Sequence, residues 1–374
     1  MTPGRYAVVA GGGTGGHALP ALAVARALAE RGHAPASVEL VGTRRGPEGP
    51  LLAGQGFPVT LLPGRGLRRS LSPAALLANL GAAAGLARAL IETLWSTARS
   101  RPRVVVSVGG YASFAPAAAA VVCRVPLVLV NLDAVPGLVH RLLGRVAAAS
   151  AVAFPGTPLP RAVVTGTPVR QEVREVDRSP AAAAEARSAL GLPADRGTVG
   201  VFGGSLGARR INRAVAGLAT AWADRGDLAI YHVTGQRDWD GDVGSGSAAD
   251  GRLVYRRVPF EREMGRLYRA ADVVVCRSGA TTTAELAVAG VPSVLVPLPG
   301  APGDHQSANA RALEAAGAAE VVTDEECDAG HLEKVLGALL ADRPRLLAMG
   351  EGAKAVGHPD AANRVADVVE AHAR

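Results

Sequence analysis

The stretch VVAGGGTGGHALPALAVARALAERGH, residues 8–33, decides the fold. A short apolar run stops at glycines, and the residues after them carry apolar side chains at helical spacing. This is a strand, a glycine turn and a helix, the opening unit of a doubly wound α/β layer. The spacing Gly11-x-Gly13-x-x-Gly16 matches a dinucleotide-binding turn, which also wants an acid at the tip of the second strand to hold a ribose. Glu39 is the only candidate, and it lies inside that strand, ahead of the tip. Three readings stand: a nicotinamide or flavin site, a turn with no ligand, or a turn whose backbone approaches a bulky anion. In the third, glycines and the free N–H groups of the helix start meet the anion, and His17 acts as general base. A lone histidine at such a place also serves as a cap or a packing residue.

Outward from this turn, strands and helices alternate. SVELVGT, VTLLPG, RVVVSVGG and PLVLVN read as strands, with an Ala/Leu-rich helix over 73–99 and another over 113–123. Continuous β-branched runs between helices mean parallel strands covered on both faces. The pattern restarts at TVGVFGGSLGARRINRAVAGL, from residue 198, with LAIYHVTG, LVYRRVPF, ADVVVCRSG and PSVLVPLP as later strands. The chain of 374 residues therefore divides into two doubly wound halves, with the boundary in VVTGTPVRQEV at 163–173. The expected domains are 1–165, 166–350 and a C-terminal helical segment 351–374 that is expected to pack back on the first half, although the pattern of 359–373 alone would suit either. Ligands of such layers bind at the carboxyl ends of the strands, so two facing halves place a site in the cleft between them.

Composition narrows the classes. Hydrophobic residues make up 48% and charged residues 20%, as in a folded soluble protein. Aromatics are only 3%, too few for base-stacking platforms, so nucleic acid is not the expected partner despite a pI of 9.9. Cys123, Cys276 and Cys327 lie far apart, without metal-ligand spacing, and read as reduced structural thiols. No signal peptide is read at the N-terminus, and FAPAAAAVVCRVPLVLV is broken by Arg124 and two prolines, so no bilayer span is expected. Residues 1–164 carry sixteen arginines against five acids, while the remainder is slightly acidic. Only the first half is a candidate for an anionic partner, a phosphate-bearing substrate or a membrane surface. Residues 65–101 combine Arg65, Arg68 and Arg69 with an apolar helix containing Trp95. They read either as a core helix with solvated flanks or as an interfacial surface dipping into acidic lipid.

The second glycine loop contains Gly203-x-Ser205-x-Gly207. Formally this is a hydrolase nucleophile elbow, for which Asp272, or Asp304 with His305, would have to complete a triad. The alternative is that Ser205 and the loop N–H groups bind a phosphate. CRSGATTTAEL places Glu285 one turn into a helix, where it either complements the helix dipole or accepts a ribose diol. PGAPGDHQSANA adds Asp304, His305, Gln306 and Asn309 after the next strand, and the loops together outline a nucleotide-sugar pocket. Asp238-x-Asp240-x-Asp242 resembles a metal-binding run but sits in a Gly/Ser/Asp loop with no glutamate at the twelfth position. It reads as a solvated loop.

The motifs in series resemble those of the peptidoglycan glycosyltransferase family MurG. GGTGGH at the first loop, GGYAS at 109–113, AVPGL at 134–138, GTPVR at 166–170, GGSLGA at 203–208, RSGATTTAE at 277–285 and DHQSANA at 304–310 carry the likeness, in order and across nearly the whole chain. The resemblance implies a GT-B fold, two doubly wound Rossmann-like domains facing a central cleft. It implies inverting transfer of N-acetylglucosamine from UDP-GlcNAc to a lipid-linked muramyl-pentapeptide, at the cytoplasmic face of the membrane. His17 would be catalytic, with Thr14, Gly15, Gly16 and Tyr111 on the acceptor. Arg170, Ser205, Val258, Glu285, His305 and Gln306 would contact the donor, Glu285 at the ribose and the backbone at Val258 at the uracil. No cofactor or metal is implied, because helix N-termini stabilise the leaving diphosphate.

One segment departs from the family. Where it typically reads HEQN, this chain has Val130, Asn131, Leu132 and Asp133, and His140 stands in place of another asparagine. By position, Asp133 takes the part of base or orienter. A related GT-B transferase acting on a different polyprenyl-linked or natural-product acceptor is the alternative reading.

Overall fold

The computed structural model describes residues 4–13, 15–44, 48–63, 73–204, 207–239 and 252–374. They form two compact units, Met1–Arg170 with Pro359–Arg374, and Gln171–His358.

The first unit contains β1 (Ala7–Gly11), α1 (Gly15–Glu30), β2 (Val38–Thr43), α2 (Glu48–Leu52), β3 (Val59–Leu62), α3 (Pro73–Ser100), β4 (Val104–Gly109), α4 (Phe114–Val122), β5 (Leu127–Asn131), α5 (Leu138–Leu143), β6 (Ala149–Val152) and β7 (Ala162–Val164). Its sheet runs β3-β2-β1-β4-β5-β6-β7, and every pairing is parallel. The second unit contains α6 (Gln171–Arg174), α7 (Pro180–Ala189), β8 (Gly197–Phe202), α8 (Arg209–Ala221), β9 (Leu228–Val233), α9 (Gln236–Trp239), β10 (Val254–Val258), α10 (Met264–Ala270), β11 (Val273–Cys276), α11 (Ala280–Ala289), β12 (Ser293–Leu295), α12 (His305–Ala315), β13 (Ala319–Val321), α13 (Ala329–Ala341) and α14 (Arg343–Val356). Its parallel sheet runs β10-β9-β8-β11-β12-β13. The last helix, α15 (Ala361–His372), returns to the first unit.

The inner strands are buried runs because helices cover both faces of each sheet, while β3, β7 and β10 at the edges are partly or fully exposed. In β11, Val273 and Val275 join the core on one face while Val274 and Cys276 join the core on the other. The two-residue period is present, but both of its phases are apolar. In each unit the strand order reverses next to the first strand, between β1 and β4 and between β8 and β11. A crevice opens at such a switch point beyond the carboxyl ends of the strands. Both glycine loops lead out of strands that border these points.

The closing helix is tied to the first unit by charge. Arg31 pairs with Asp367 at 2.6 Å and Glu370 at 2.9 Å, and His33 meets Glu370 at 2.8 Å while stacking on Tyr6. Beneath these contacts Ala361, Val365, Ala366 and Val369 are fully buried.

Candidate active site

In the first unit the turn after β1 interlocks with the turn after β4. Gly109 and Gly110 have φ of +107° and +76°, a region that favours glycine. A Cβ on Gly110 would also run into the Gly12 carbonyl, and one on Gly109 would lie 3.0 Å from the His17 ring. The imidazole at the head of α1 therefore lies on bare backbone. Gly15 and Gly16 form the first turn of α1, and Gly13, at φ +100°, lies beside the backbone N of Tyr111, where a Cβ would make an ordinary contact at 3.6 Å. Thr14 lies outside the described residues.

Behind His17 runs a buried relay. Asn131, at the tip of β5, donates its amide to the Asp133 carbonyl at 2.6 Å. Its Oδ1 therefore faces His140 Nδ1, at 3.2 Å, and His140 Nε2 meets the Ser107 hydroxyl at 3.3 Å. This order makes His140 neutral, with the proton on Nδ1. Burial pushes the pKa of His140 down to about 4, with nearby His17 adding to the effect. The departure at 130–133 is thus built into the core: Val130 and Asn131 are buried, and it is the Asp133 backbone that the relay holds.

In the second unit, β8 ends at Phe202 and the loop over 203–208 leads into α8. Gly207 has φ +80°, and a Cβ there would collide with the Thr234 carbonyl and lie 2.7 Å from Asp238 Oδ2. Ala208 gives α8 no side-chain cap, and its first turn carries no acid. Its free N–H groups and positive dipole end therefore suit an anion. Ser205 lies outside the described residues.

A second relay supports this loop. Asn212 donates to the Thr234 carbonyl at 2.9 Å and to Asp238 at 3.3 Å, so its Oδ1 accepts from His232 Nε2 at 3.0 Å. His232 Nδ1 then accepts from the Tyr255 hydroxyl at 2.8 Å. Burial, with Arg257 adding to it, lowers the His232 pKa to about 3. Asp238, nearly buried, also pairs with Arg209 at 3.3 Å and Arg237 at 3.1 Å. Its role is to anchor the loop; Asp240 and Asp242 lie outside the described residues.

Beyond β11 and β12 two loops are stitched together. Ser278 donates to the Gln306 carbonyl at 2.8 Å, and Asn309 donates to the Ser278 carbonyl at 3.2 Å. Gln306 Oε1 accepts from Leu298 N at 3.0 Å, and His305 Nδ1 donates to the Pro302 carbonyl at 2.9 Å. Glu285, on the second turn of α11, accepts the Tyr268 hydroxyl on Oε2 at 2.8 Å. Glu285, His305 and Gln306 thus share the carboxyl ends of β11 and β12, next to the glycine loop. Arg170 is the last residue of the first unit. Val258 pairs with Val233 in the sheet, and its carbonyl accepts from Thr234 N at 3.0 Å. The backbone beyond β10 begins with Pro259, which has no N–H to offer a base.

The cofactor reading loses its acid, and the hydrolase reading loses one of its two. Glu39 pairs with Arg5 at 2.6 Å and accepts from Thr60 at 2.6 Å, so no acid stands at the tip of β2 for a cofactor ribose. Asp272 precedes β11, at the opposite end of the strand from the glycine loop, and is held by Arg187 and Arg343. It is not the acid of a triad with Ser205. Sequence reasoning missed Tyr268, Asn212, His232 and Ser107. A histidine in the apolar run LAIYHV and a serine in VVVSVG were the available signals.

The comparisons with known proteins agree with this arrangement. Residues 7–152 match the glycosyltransferase family 28 N-terminal domain, and residues 198–365 match the glycosyltransferase family 28 C-terminal domain. A protein of Desulforudis audaxviator described as UDP-N-acetylglucosamine–N-acetylmuramyl-(pentapeptide) pyrophosphoryl-undecaprenol N-acetylglucosamine transferase is 38% identical, over 97% of each chain. One of the same description from Halorhodospira halophila is 41% identical over 98% of each. The crystal structure of Acinetobacter baumannii MurG superposes with a TM-score of 0.72 at 26% identity, covering 99% of this chain and all of that one. Two Rossmann-like layers with strand orders that reverse beside glycine loops, and relatives colinear from end to end, make this chain a member of glycosyltransferase family 28, in its MurG branch, with the GT-B fold.

Proposed function

We infer that this glycosyltransferase moves N-acetylglucosamine from UDP-GlcNAc to lipid-linked N-acetylmuramyl-pentapeptide, the step that its relatives are named for. The observation that carries the reading is end-to-end identity of 38–41% with those transferases. The site geometry supports it: glycine loops at both switch points, with His17 on one and an uncapped helix on the other.

In this reading the second unit holds the donor. The 203–208 loop, with Ser205, and the start of α8 receive the diphosphate, and Glu285 receives the ribose. His305, Gln306 and Arg170 contact the rest of the donor, and the backbone at Val258 and just beyond it meets the uracil. The first unit holds the acceptor through Thr14, Gly15, Gly16 and Tyr111. His17 takes the proton of the attacking hydroxyl as its oxygen bonds to the anomeric carbon, and the bond to the diphosphate oxygen breaks on the opposite face. The configuration inverts. UDP leaves as an anion stabilised by N–H groups and a helix dipole, with no step that calls for a metal. Asp133, held through its backbone by the relay, orients the acceptor or His17. A purified sample given labelled UDP-GlcNAc should glycosylate lipid-linked muramyl-pentapeptide. Transfer only to other polyprenyl-linked or natural-product acceptors would instead favour the alternative transferase.

The acceptor's lipid calls for a membrane surface. No helix among the described residues is long and apolar enough to cross a membrane. Peripheral docking on the cytoplasmic face is supported by Leu138, Leu142 and Val146, all about 60% exposed and spaced four residues apart, with exposed Arg141 and Arg145 among them. Trp95 and Ile91 on α3 are also exposed, and Arg99 lies over the Trp95 ring. Arg65, Arg68 and Arg69 lie outside the described residues. Leu138→Glu with Leu142→Glu should release the protein from anionic vesicles in sedimentation, and rising salt should weaken binding of the parent. Unchanged binding by the double variant would place the docking surface elsewhere.

A further inference from the structure

Glu285 does not act alone on α11. The hydroxyl that it accepts belongs to Tyr268, a fully buried residue near the end of α10. The Tyr268 ring packs on Phe202, with centroids 6.0 Å apart and planes at 58°. Phe202 is the last residue of β8, directly before Gly203. One aromatic ring therefore rests against the base of the glycine loop and, through its hydroxyl, meets the acid on α11.

A glutamate side chain has three rotatable bonds, and an aligned carboxylate on a second-turn helical position has to be kept aligned. A charge-assisted bond from a hydroxyl fixed by packing does this. It does not exhaust the acid, since a carboxylate offers about four acceptor positions. Tyr268 is itself immobile, because its ring is enclosed.

We propose that Tyr268 is a positioning residue for the donor nucleotide. Its hydroxyl sets the Glu285 carboxylate in the orientation that accepts the ribose diol, and thereby carries the preference for ribonucleotide over deoxyribonucleotide. The proposal rests on the reading that Glu285 takes the ribose. It adds a residue that never touches the ligand and acts on a single part of it. A tyrosine that only satisfied a buried acid would affect both kinds of nucleotide alike.

Calorimetric titration of the full chain with UDP and with 2′,3′-dideoxy-UDP separates these cases. The parent should prefer UDP by about tenfold or more, the scale of a hydrogen bond to a charged group. Tyr268→Phe, which keeps the ring, should lower that preference roughly three- to tenfold and leave affinity for the dideoxy analogue within about twofold. In transfer assays the same variant should raise the donor KM and retain kcat. In a Glu285→Ala background, where the preference should be gone, Tyr268→Phe should change neither affinity. Equal weakening of both nucleotides by Tyr268→Phe overturns the proposal. So does an unchanged preference in Tyr268→Phe while Glu285→Ala abolishes it, an outcome that leaves the ribose reading standing. If Glu285→Ala keeps the full preference, the ribose reading falls and the proposal falls with it.

Discussion

In the proposed mechanism His17 serves as base with its ring seated on Gly109 and Gly110, where no side chain of those two residues intervenes. The same absence lets an acceptor hydroxyl approach beside the ring. His17→Ala should lower kcat by about 10²–10⁴, the range for losing a positioned general base, and should leave UDP affinity within about twofold. Steady-state kinetics with titration of UDP checks both halves; a large loss of UDP affinity at normal turnover would remove His17 from the chemistry. The place of the histidine at the head of α1 was legible because it follows the third glycine of a spaced motif directly. Tyr268 was not, since it stands seventeen positions before Glu285 and nothing in a linear pattern brings a helix end to a neighbouring helix.

At the scale of elements, each unit uses one neutral histidine to join three elements beside the loops proposed for its chemistry. His140 joins β4, β5 and α5; His232 joins α8, β9 and β10. Both have pKa values below the ordinary 6.5, so in the window beneath it the unfolded chain binds protons that the folded chain refuses. Their contribution to stability is complete above about pH 6.5 and is lost as pH falls toward 4, by about 1.4 kcal/mol per pH unit for each histidine. Urea midpoints measured between about pH 7.5 and 4.5 should fall accordingly, and His140→Asn should show a shallower decline. Most strands were readable beforehand: β1, β5 and β11 are apolar runs ending at Gly11, at Asn131 and just before Arg277, and β4 is one broken only by Ser107. The relays were not, because Ser107, Asn131 and His140 become neighbours only after three elements align. Asp238, the first acid of the run at 238–242, misled for the same reason. Asp238 looks solvated in sequence, yet it is buried against Arg209, Arg237 and Asn212.

Across the whole molecule, the same layer has been built twice, each with its glycine loop beside the reversal of strand order. The duplication was visible in the restart at residue 198. For α15 the helical period by itself gives no address for the face that it covers; its return to the first unit was an expectation from the domain reading. Deleting residues 359–374 strips the first unit of a buried apolar face, with on the order of 1.5 kcal/mol lost for each of Val365 and Val369 alone. Limited proteolysis of the truncated chain should cut the first unit under conditions where the second remains intact and still binds UDP. Equal resistance in both units would show that the helix is dispensable.

That helix also sets a timetable. The second unit is an insertion within the first, so a nascent chain leaving the ribosome has all of residues 171–358 in hand before the first unit receives its final segment. The amino-terminal layer, made first, is finished last. Until residues 361–372 are made, the face of the first unit that they cover stays bare.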